Sequence, residues 1–210
     1  PVAGAGASIL AAGTTSYRLK TEQALEETSG NTYYWAVRPV QGNAEGTRSA
    51  VRSFTLDLDA PSLTVSIASP FDPYTLSQEV TVQLTASDQQ IVEGDTSLME
   101  YRVANSSSAL ESAAWNSYPS NGSFTHQLSD GSGAKSVYVQ ARDSAVPNAN
   151  MSSGSDSITY DPSVYVASEE GVGSDANSGT REAPLFSINE AYNKVVSDSD
   201  YSGVTEIRVA

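Results

Sequence analysis

The sequence predicts a mainly-β protein, and two observations lead to that prediction. Short stretches such as "EVTVQLTASD" and "KSVYVQARD" alternate apolar with polar residues, which is the pattern of a strand with one buried face. Clusters of Gly, Asn, Ser, Asp and Pro separate these stretches and mark turns. The 210 residues suffice for two small β-sandwiches of about 100 residues or less and a remnant.

Residues 58–161 contain the cleanest alternation. A Pro in "LDAPSLTV" marks the start of this region, because Pro interrupts strand pairing. The predicted inward positions are Leu63, Val65 and Ile67, then Val80, Val82, Leu84 and Ala86, and later Val137, Val139 and Ala141. About seven short strands over roughly 100 residues predict a complete immunoglobulin-like β-sandwich. The stretches "AAWNSYPSNGSF" and "LSDGSGAKSVYVQARDSA" resemble bacterial immunoglobulin-like repeats of secreted multidomain proteins.

Residues 1–57 predict three or four strands, in "TSYRL", "NTYYWAVRPV" and "RSAVRSFTLD". This run resembles the C-terminal half of a fibronectin type III-like domain. The resemblance puts Tyr33 near the tyrosine-corner position, Trp35 and Val37 on the strand that follows, and Phe54 on the closing strand. Separately, we expect Trp35 to lie in the core. We therefore expect a truncated half-sandwich with an open sheet edge.

Residues 162–210 change character. "SVYVA" and "VTEIRVA" predict strands, with Val204 starting the inward alternation of the second. Between them, Ser187 and Glu190 form a capping box in which each side chain bonds the other residue's backbone N–H. Apolar residues on one face make the following helix amphipathic: Ile188, Ala191, Tyr192 and Val195.

The run "VYVASEEGVGSDANSGTREAPLFSINEAY" resembles the entry to a right-handed parallel β-helix of the pectin-lyase-like class. That resemblance implies that residues 162–210 form the N-terminal cap and first strand of a solenoid that continues beyond residue 210. A solenoid leaves its terminal coil unpaired, so a capping helix covers it. The loop "SDANSG" at 174–179 could also read as a calcium loop, although a structural turn fits its glycines better.

The charge balance excludes some partners. The chain has 11 basic and 25 acidic residues, a net charge of −14, which opposes nucleic acid and anionic lipid. No apolar run approaches the roughly 20 residues of a membrane span, so we expect no membrane insertion. The absence of cysteine excludes disulfides and Cys-ligated zinc.

Neither a catalytic constellation nor a cofactor motif is evident in the sequence. His126 is the sole histidine, so neither a nucleophile–base pair nor a transition-metal site can form around it. We expect it to face solvent on a strand.

Carboxylates suggest one metal hypothesis. In an immunoglobulin-like sandwich, Asp59, Asp88 and Asp143 lie at one end, where the linker adds Asp57 and the preceding domain adds Glu26 and Glu27. Oxygen ligands converging on a domain junction are typical of Ca²⁺, and cadherin-like repeats are similar in this respect. The alternative is that these aspartates cap turns.

Two aromatic residues suggest a carbohydrate hypothesis. Trp115 and Tyr118 in "AAWNSYPSNG" could form a flat stacking surface for a sugar. The alternative is that Trp115 closes the sandwich edge.

Together these features favour a non-catalytic spacer or adhesion region of an exported bacterial protein, secreted or on the cell surface. Its ligand would be a polysaccharide or another cell-surface molecule. One alternative is the accessory region of a β-helix polysaccharide lyase or glycoside hydrolase whose catalytic coils lie beyond residue 210. A second alternative is a carbohydrate-binding module.

Overall fold

The computed structural model describes residues 11, 29–41, 44–88, 99–145, 149–167, 169 and 171–209. The protein is mainly β, as the alternation predicts. The chain divides into two compact units, residues 1–59 and 60–210. The predicted "TSYRL" strand, Glu26 and Glu27 lie outside the described residues.

In the first unit, the described residues form two small antiparallel sheets. The strands are β1 (Thr32–Trp35), β2 (Val40–Gln41), β3 (Ala44–Glu45) and β4 (Arg52–Thr55). Strand β1 pairs with β4, and β2 pairs with β3. The rings of Tyr33 and Phe54 stack across the first pair at 5.6 Å.

The expected core position of Trp35 is wrong. Its side chain is 46% exposed, with the Arg52 guanidinium 5.8 Å from the ring centroid. Strand β1 ends at Trp35, so Val37 is not on that strand, and it too is exposed. The reason is that β1 and β4 form a two-stranded sheet, and no described part of this unit supplies a second layer over the tryptophan.

The second unit contains the remaining elements. Its strands are β5 (Ser62–Ala68), β6 (Tyr74–Thr75), β7 (Glu79–Ser87), β8 (Glu100–Ala104), β9 (Asn116–Ser117), β10 (Ser123–Gln127), β11 (Gly133–Arg142), β12 (Met151–Tyr160), β13 (Ser163–Val166) and β14 (Glu206–Val209). Its helices are α1 (Ser107–Leu110) and α2 (Ile188–Ser197), followed by a 3-10 turn at Ser199–Tyr201.

Two sheets of the second unit form a β-sandwich. One has the order β10-β7-β5 and the other the order β6-β12-β11-β8-β9. Their inner faces share one apolar core: Ile67, Val80, Val82, Leu84, Tyr101, Leu128, Val137, Val139 and Ile158. Burial of these side chains is the main stabilising contribution to the sandwich.

The predicted alternation is confirmed in β7 and β11. Val80, Val82 and Leu84 are buried. In β11, Val137 and Val139 are 0% exposed, while Tyr138 and Gln140 between them point to the outer face. A strand with this pattern has its register fixed, because a slip of one residue would expose its apolar side chains.

An edge contact joins the two sheets. The Asp156 carboxylate on β12 accepts a hydrogen bond of 2.7 Å from the backbone N–H of Ile67 on β5. Nearby, a Cβ added to Gly154 would lie 2.9 Å from Val65, so the glycine permits the close approach of β12 to β5.

Residues 162–209 pack on a second apolar core. Strands β13 and β14 pair in parallel, with α2 as their connection, and Leu185 makes a parallel bridge to Val166 on the other side of β13. The second core contains Leu76, Val164, Val166, Leu185, Ala191 and Tyr201. Because Leu76 belongs to the chain between β6 and β7, this core attaches the segment to the sandwich.

Helix α2 packs on the second core through a narrower face than the sequence indicates. Ala191 is buried and Val195 packs against the second core, as predicted. Ile188 and Tyr192 are 57% and 60% exposed, so only part of the predicted apolar face packs against the core. The helix contacts the core along the row of Ala191 and Val195, and the neighbouring row remains in solvent.

The structure also contains elements without a clear sequence pattern. Strand β12 begins at Met151, five residues before the predicted "DSITYD", because its Ser/Gly-rich start pairs residue by residue with β11. Tertiary pairing here outweighs low strand propensity. Helix α1 and strand β9 are too short to show a period.

The hydrogen bond between the Ile67 N–H and the Asp156 carboxylate predicts an effect of Asp156 on stability. We expect Asp156→Ala to lower the free energy of unfolding by about 1–3 kcal/mol, because the Ile67 N–H loses a charged acceptor. Urea denaturation measures this change, with Ser155→Ala as the control on the outer face of the same strand. Equal stability of the two variants would contradict a stabilising role of this hydrogen bond.

Candidate functional site

A groove of about 320 Å³ lies on the outer face of the five-stranded sheet. Its floor follows from the register of β8, β11 and β12, in which Arg102, Gln140 and Ser153 lie opposite one another. Ala104, Tyr138 and Ser155 form the next cross-strand row. Directly opposite residues on one face of a sheet lie close enough for their side chains to interact.

Hydrogen bonds connect the first row across three strands. The Arg102 Nε–H donates to Gln140 Oε1 at 2.8 Å, and Gln140 Nε2 donates to Ser153 Oγ at 3.2 Å. Arg102 Nη1 also donates to the Glu111 carbonyl at 2.7 Å. These bonds fix the position and orientation of the Arg102 guanidinium.

Helix α1 supplies one side of the groove. Ser106 caps this helix by accepting from the Ala109 N–H, and Leu110 is buried beneath it. Ser107, Leu110 and Glu111 all line the groove.

Trp115 lies beside the groove and contacts two cations. The guanidinium carbons of Arg102 and Arg142 are 4.7 Å and 4.1 Å from the ring centroid. Arg142 also pairs with Glu100 at 2.6 Å. The half-buried indole therefore packs over the arginines of the outer face.

Tyr118, the second residue of the predicted sugar surface, lies elsewhere. It packs against the core of the sandwich, and its backbone N–H donates to the Met99 carbonyl at 3.0 Å. Burial raises the pKa of its hydroxyl. The contacts of Trp115 and Tyr118 are thus with arginines and with the core, respectively, and the pair as a sugar surface stays a prediction.

The predicted calcium ligands divide between the two units. Asp57 and Asp59 belong to the first unit, where the Asp59 N–H donates to Asp57 Oδ1 at 3.3 Å. Asp88 and Asp143 belong to the second, with carboxylate oxygens within 4.8 Å of each other.

Asp143 also has a structural role. It is 3% exposed, and its oxygens accept from the backbone N–H groups of Ala145 and Asn150 and from the Asn150 side chain. These bonds shape the turn between β11 and β12, as the turn-capping interpretation expects. The calcium site stays a prediction.

The loop "GSDANSG" has a structural role centred on Asp175. Its Oδ1 accepts from the backbone N–H groups of Phe186 and Ser187 at 3.1 and 2.8 Å, and its Oδ2 accepts from Ser187 Oγ. Ser187 in turn accepts from the Glu190 N–H, so that half of the predicted capping box is confirmed. The other half is wrong, because the Ser187 N–H donates to Asp175 Oδ1 and not to the Glu190 carboxylate.

Two glycines allow this loop to fold. Gly179 has φ of +78°, which favours glycine. A Cβ on Gly173 would collide with the carbonyl oxygens of Ala167 and Leu185. The predicted structural turn is therefore what the loop forms.

His126 is half-buried on β10, so the expected solvent-facing position is only partly right. Its Nε2 lies 3.0 Å from Asn105 Oδ1, and Phe124 approaches edge-on with ring centroids 6.5 Å apart. Burial lowers the pKa of the imidazole.

Comparisons with known proteins identify no family: no family model matches the chain, and no curated protein shows significant similarity to it. Among the described residues, none of the helices combines the length and apolarity needed to cross a membrane.

Sequence reasoning missed the groove. Its row of Arg102, Gln140 and Ser153 spans three strands, and no local pattern shows that these residues are neighbours. The available signal is the alternation of side chains along β11. Because Val137 and Val139 point inward, Tyr138 and Gln140 must point outward.

The lowered pKa of His126 predicts a pH dependence of stability. The neutral imidazole is favoured in the folded state, so its contribution is present above the unfolded pKa of about 6.5 and falls as pH decreases toward the lower folded pKa. We expect the loss of melting temperature between about pH 7.5 and 5.5 to be smaller in His126→Gln than in the original chain. Since the chain has no other histidine, equal losses would contradict this.

Proposed function

We propose that this chain is a non-catalytic structural and adhesion region of an exported bacterial cell-surface protein. In this proposal an immunoglobulin-like sandwich supports the cap and first strand of a parallel β-helix, and the helix continues after residue 210. The region then spaces and presents the solenoid, and the sandwich offers a surface for a polysaccharide or another cell-surface ligand.

One observation carries the structural part of the proposal. Three chain segments run in parallel at β13: Leu185 bridges Val166 on one side, and β14 pairs with β13 on the other. The bonds from Leu185 N–H to the Tyr165 carbonyl and from Ala167 N–H to the Leu185 carbonyl have the slanted pattern of parallel strands. Parallel stacking of consecutive strands around a shared core is how a solenoid is built, and β13 and β14 are two such strands.

The exposed side of this ladder supports the same proposal. Among the described residues, β14 pairs with β13 alone. Val209, at the end of β14, is 59% exposed. An open strand edge next to an apolar core is a surface on which a further parallel strand can pair. Asp175 supports the cap because it fixes the start of α2 against the chain that follows β13.

The fibronectin-like description of the first unit is part of this proposal. The stacking of Tyr33 on Phe54 across β1 and β4 supports it, since the resemblance places these residues on neighbouring late strands.

Hydrogen exchange tests the proposal. We expect the amides of Glu206–Val209 to exchange at least about tenfold more slowly when the chain is extended by the residues that follow Ala210 in its gene, because a new strand would satisfy the β14 edge. The amides of Tyr138–Arg142, where β11 pairs with both β12 and β8, serve as the internal control. Unchanged exchange in β14, or a gene that ends at residue 210, would contradict the proposal.

The enzyme alternative shares the same architecture. In that alternative the solenoid coils carry the chemistry of a polysaccharide lyase or glycoside hydrolase. Assay of the extended protein on polysaccharides, with product detection by mass spectrometry, distinguishes the two: cleavage would replace adhesion as the function of the whole protein.

A further inference from the structure

The groove on the outer face presents an arginine without an acid partner. Three arginines in the described residues pair with a carboxylate: Arg38 with Glu45, Arg142 with Glu100 and Arg208 with Glu206. Arg102, within the same described part of the chain, contacts an amide oxygen, a backbone carbonyl and an indole ring, but no carboxylate. Since none of the ion pairs among the described residues involves Arg102, its charge is available to an acid from outside.

The contacts of Arg102 also prepare it for a ligand. Two of its five N–H groups are used by Gln140 and Glu111. The remaining donors include the Nη2 amino group, and Arg102 is one of the residues that line the groove. Because its orientation is already fixed, little side-chain entropy is lost when a carboxylate binds.

The other groove residues are suited to a sugar. Ser107, Ser153 and Ser155 bring hydroxyl groups to the groove, and each hydroxyl can both donate and accept. The exposed carboxylate of Glu111 can accept from sugar hydroxyls. Tyr138 adds an aromatic ring on which a pyranose ring can pack.

The size of the groove limits the ligand. Its volume of about 320 Å³ is at the lower end of the roughly 300–1,000 Å³ typical of small-molecule sites. A single sugar ring suits this volume better than a long chain lying within it.

We propose that this groove binds a carboxylate-bearing sugar residue of the uronic acid type. The guanidinium of Arg102 binds the sugar carboxylate, the serine hydroxyls bind ring hydroxyls, and Tyr138 packs against the ring. The Trp115 ring supports Arg102 from beside the groove and does not itself form the sugar platform. This inference is independent of the parallel-coil proposal, because every residue involved belongs to the sandwich.

Titration of the intact 210-residue chain with small glycosides tests the proposal. Methyl glucuronide and methyl galacturonide are the acidic probes, and methyl glucoside and methyl galactoside are the matched neutral probes. We expect at least one acidic probe to give saturable shifts of the β8 and β11 amides and of the Trp115 indole in ¹H–¹⁵N spectra. We expect the matched neutral glycoside to have a dissociation constant at least about tenfold higher, because it cannot form the charged hydrogen bond.

Two pairs of variants assign the site. Arg102→Gln should weaken binding of the acidic probe about tenfold or more, whereas Arg181→Gln, which removes an exposed arginine outside the groove, should not. Ser155→Tyr should block the groove without removing a contact of Arg102. Ser157→Tyr is its control, since Ser157 lies on the same face of β12 but does not line the groove. The second pair keeps the test valid if Arg102→Gln fails to fold.

Several results would overturn the proposal. Equal affinity for acidic and neutral glycosides would show that Arg102 does not recognise the carboxylate. Acetate binding as tightly as the uronides would show that the groove does not recognise the sugar ring. Chemical-shift changes confined to other parts of the protein, or none with any of the four glycosides, would show that the groove is not the binding site.

Discussion

Strand β11 contributes both to the core of the sandwich and to the groove on its outer face. It pairs with β12 over all ten of its residues and with β8 over its second half. Its inward residues Val137, Val139 and Ala141 are 0% exposed. Because side chains alternate along a strand, the burial of these three determines that Tyr138, Gln140 and Arg142 point outward. The register that buries the core is therefore also the register that assembles the groove.

The sequence predicted the parts of this structure that depend on local periodicity. The alternation of β7 and β11 and the N-cap of α2 at Ser187 could be read directly, because a strand or helix with one buried face repeats its apolar residues at a fixed spacing. Contacts between distant residues could not be read in this way. Asp175 bonds the backbone at Phe186 and Ser187, and Arg102 meets Gln140 only because β8 pairs with β11.

The incorrect predictions have a common physical cause. Trp35 and the row of Ile188 and Tyr192 are apolar in sequence and exposed in the structure. Apolar residues are not always buried: a side chain is buried only where another layer packs against it. The sandwich core has two sheets, and α2 packs on β13 and β14 through one row of residues, so burial follows these contacts and not hydrophobicity alone.

The two parts of the second unit have separate cores, and Leu76 attaches one part to the other. The sandwich core lies between its sheets, and the second core includes Leu76 from the chain between β6 and β7. A Cβ on Gly203 would collide with the Leu76 carbonyl, so the turn after α2 also packs closely on this point. The proposed solenoid cap thus packs on the sandwich at Leu76, whereas the groove is lined by residues of other elements, among them β8, β11 and β12.

The register of β11 can be measured directly because the chain has no cysteine. Single cysteines placed at each position from 137 to 142 can be reacted with a thiol reagent under native conditions. The account predicts fast labelling at 138, 140 and 142 and slow labelling at 137, 139 and 141. Labelling that does not alternate, or that alternates in the opposite sense, would contradict the claim that one register forms both the core and the groove.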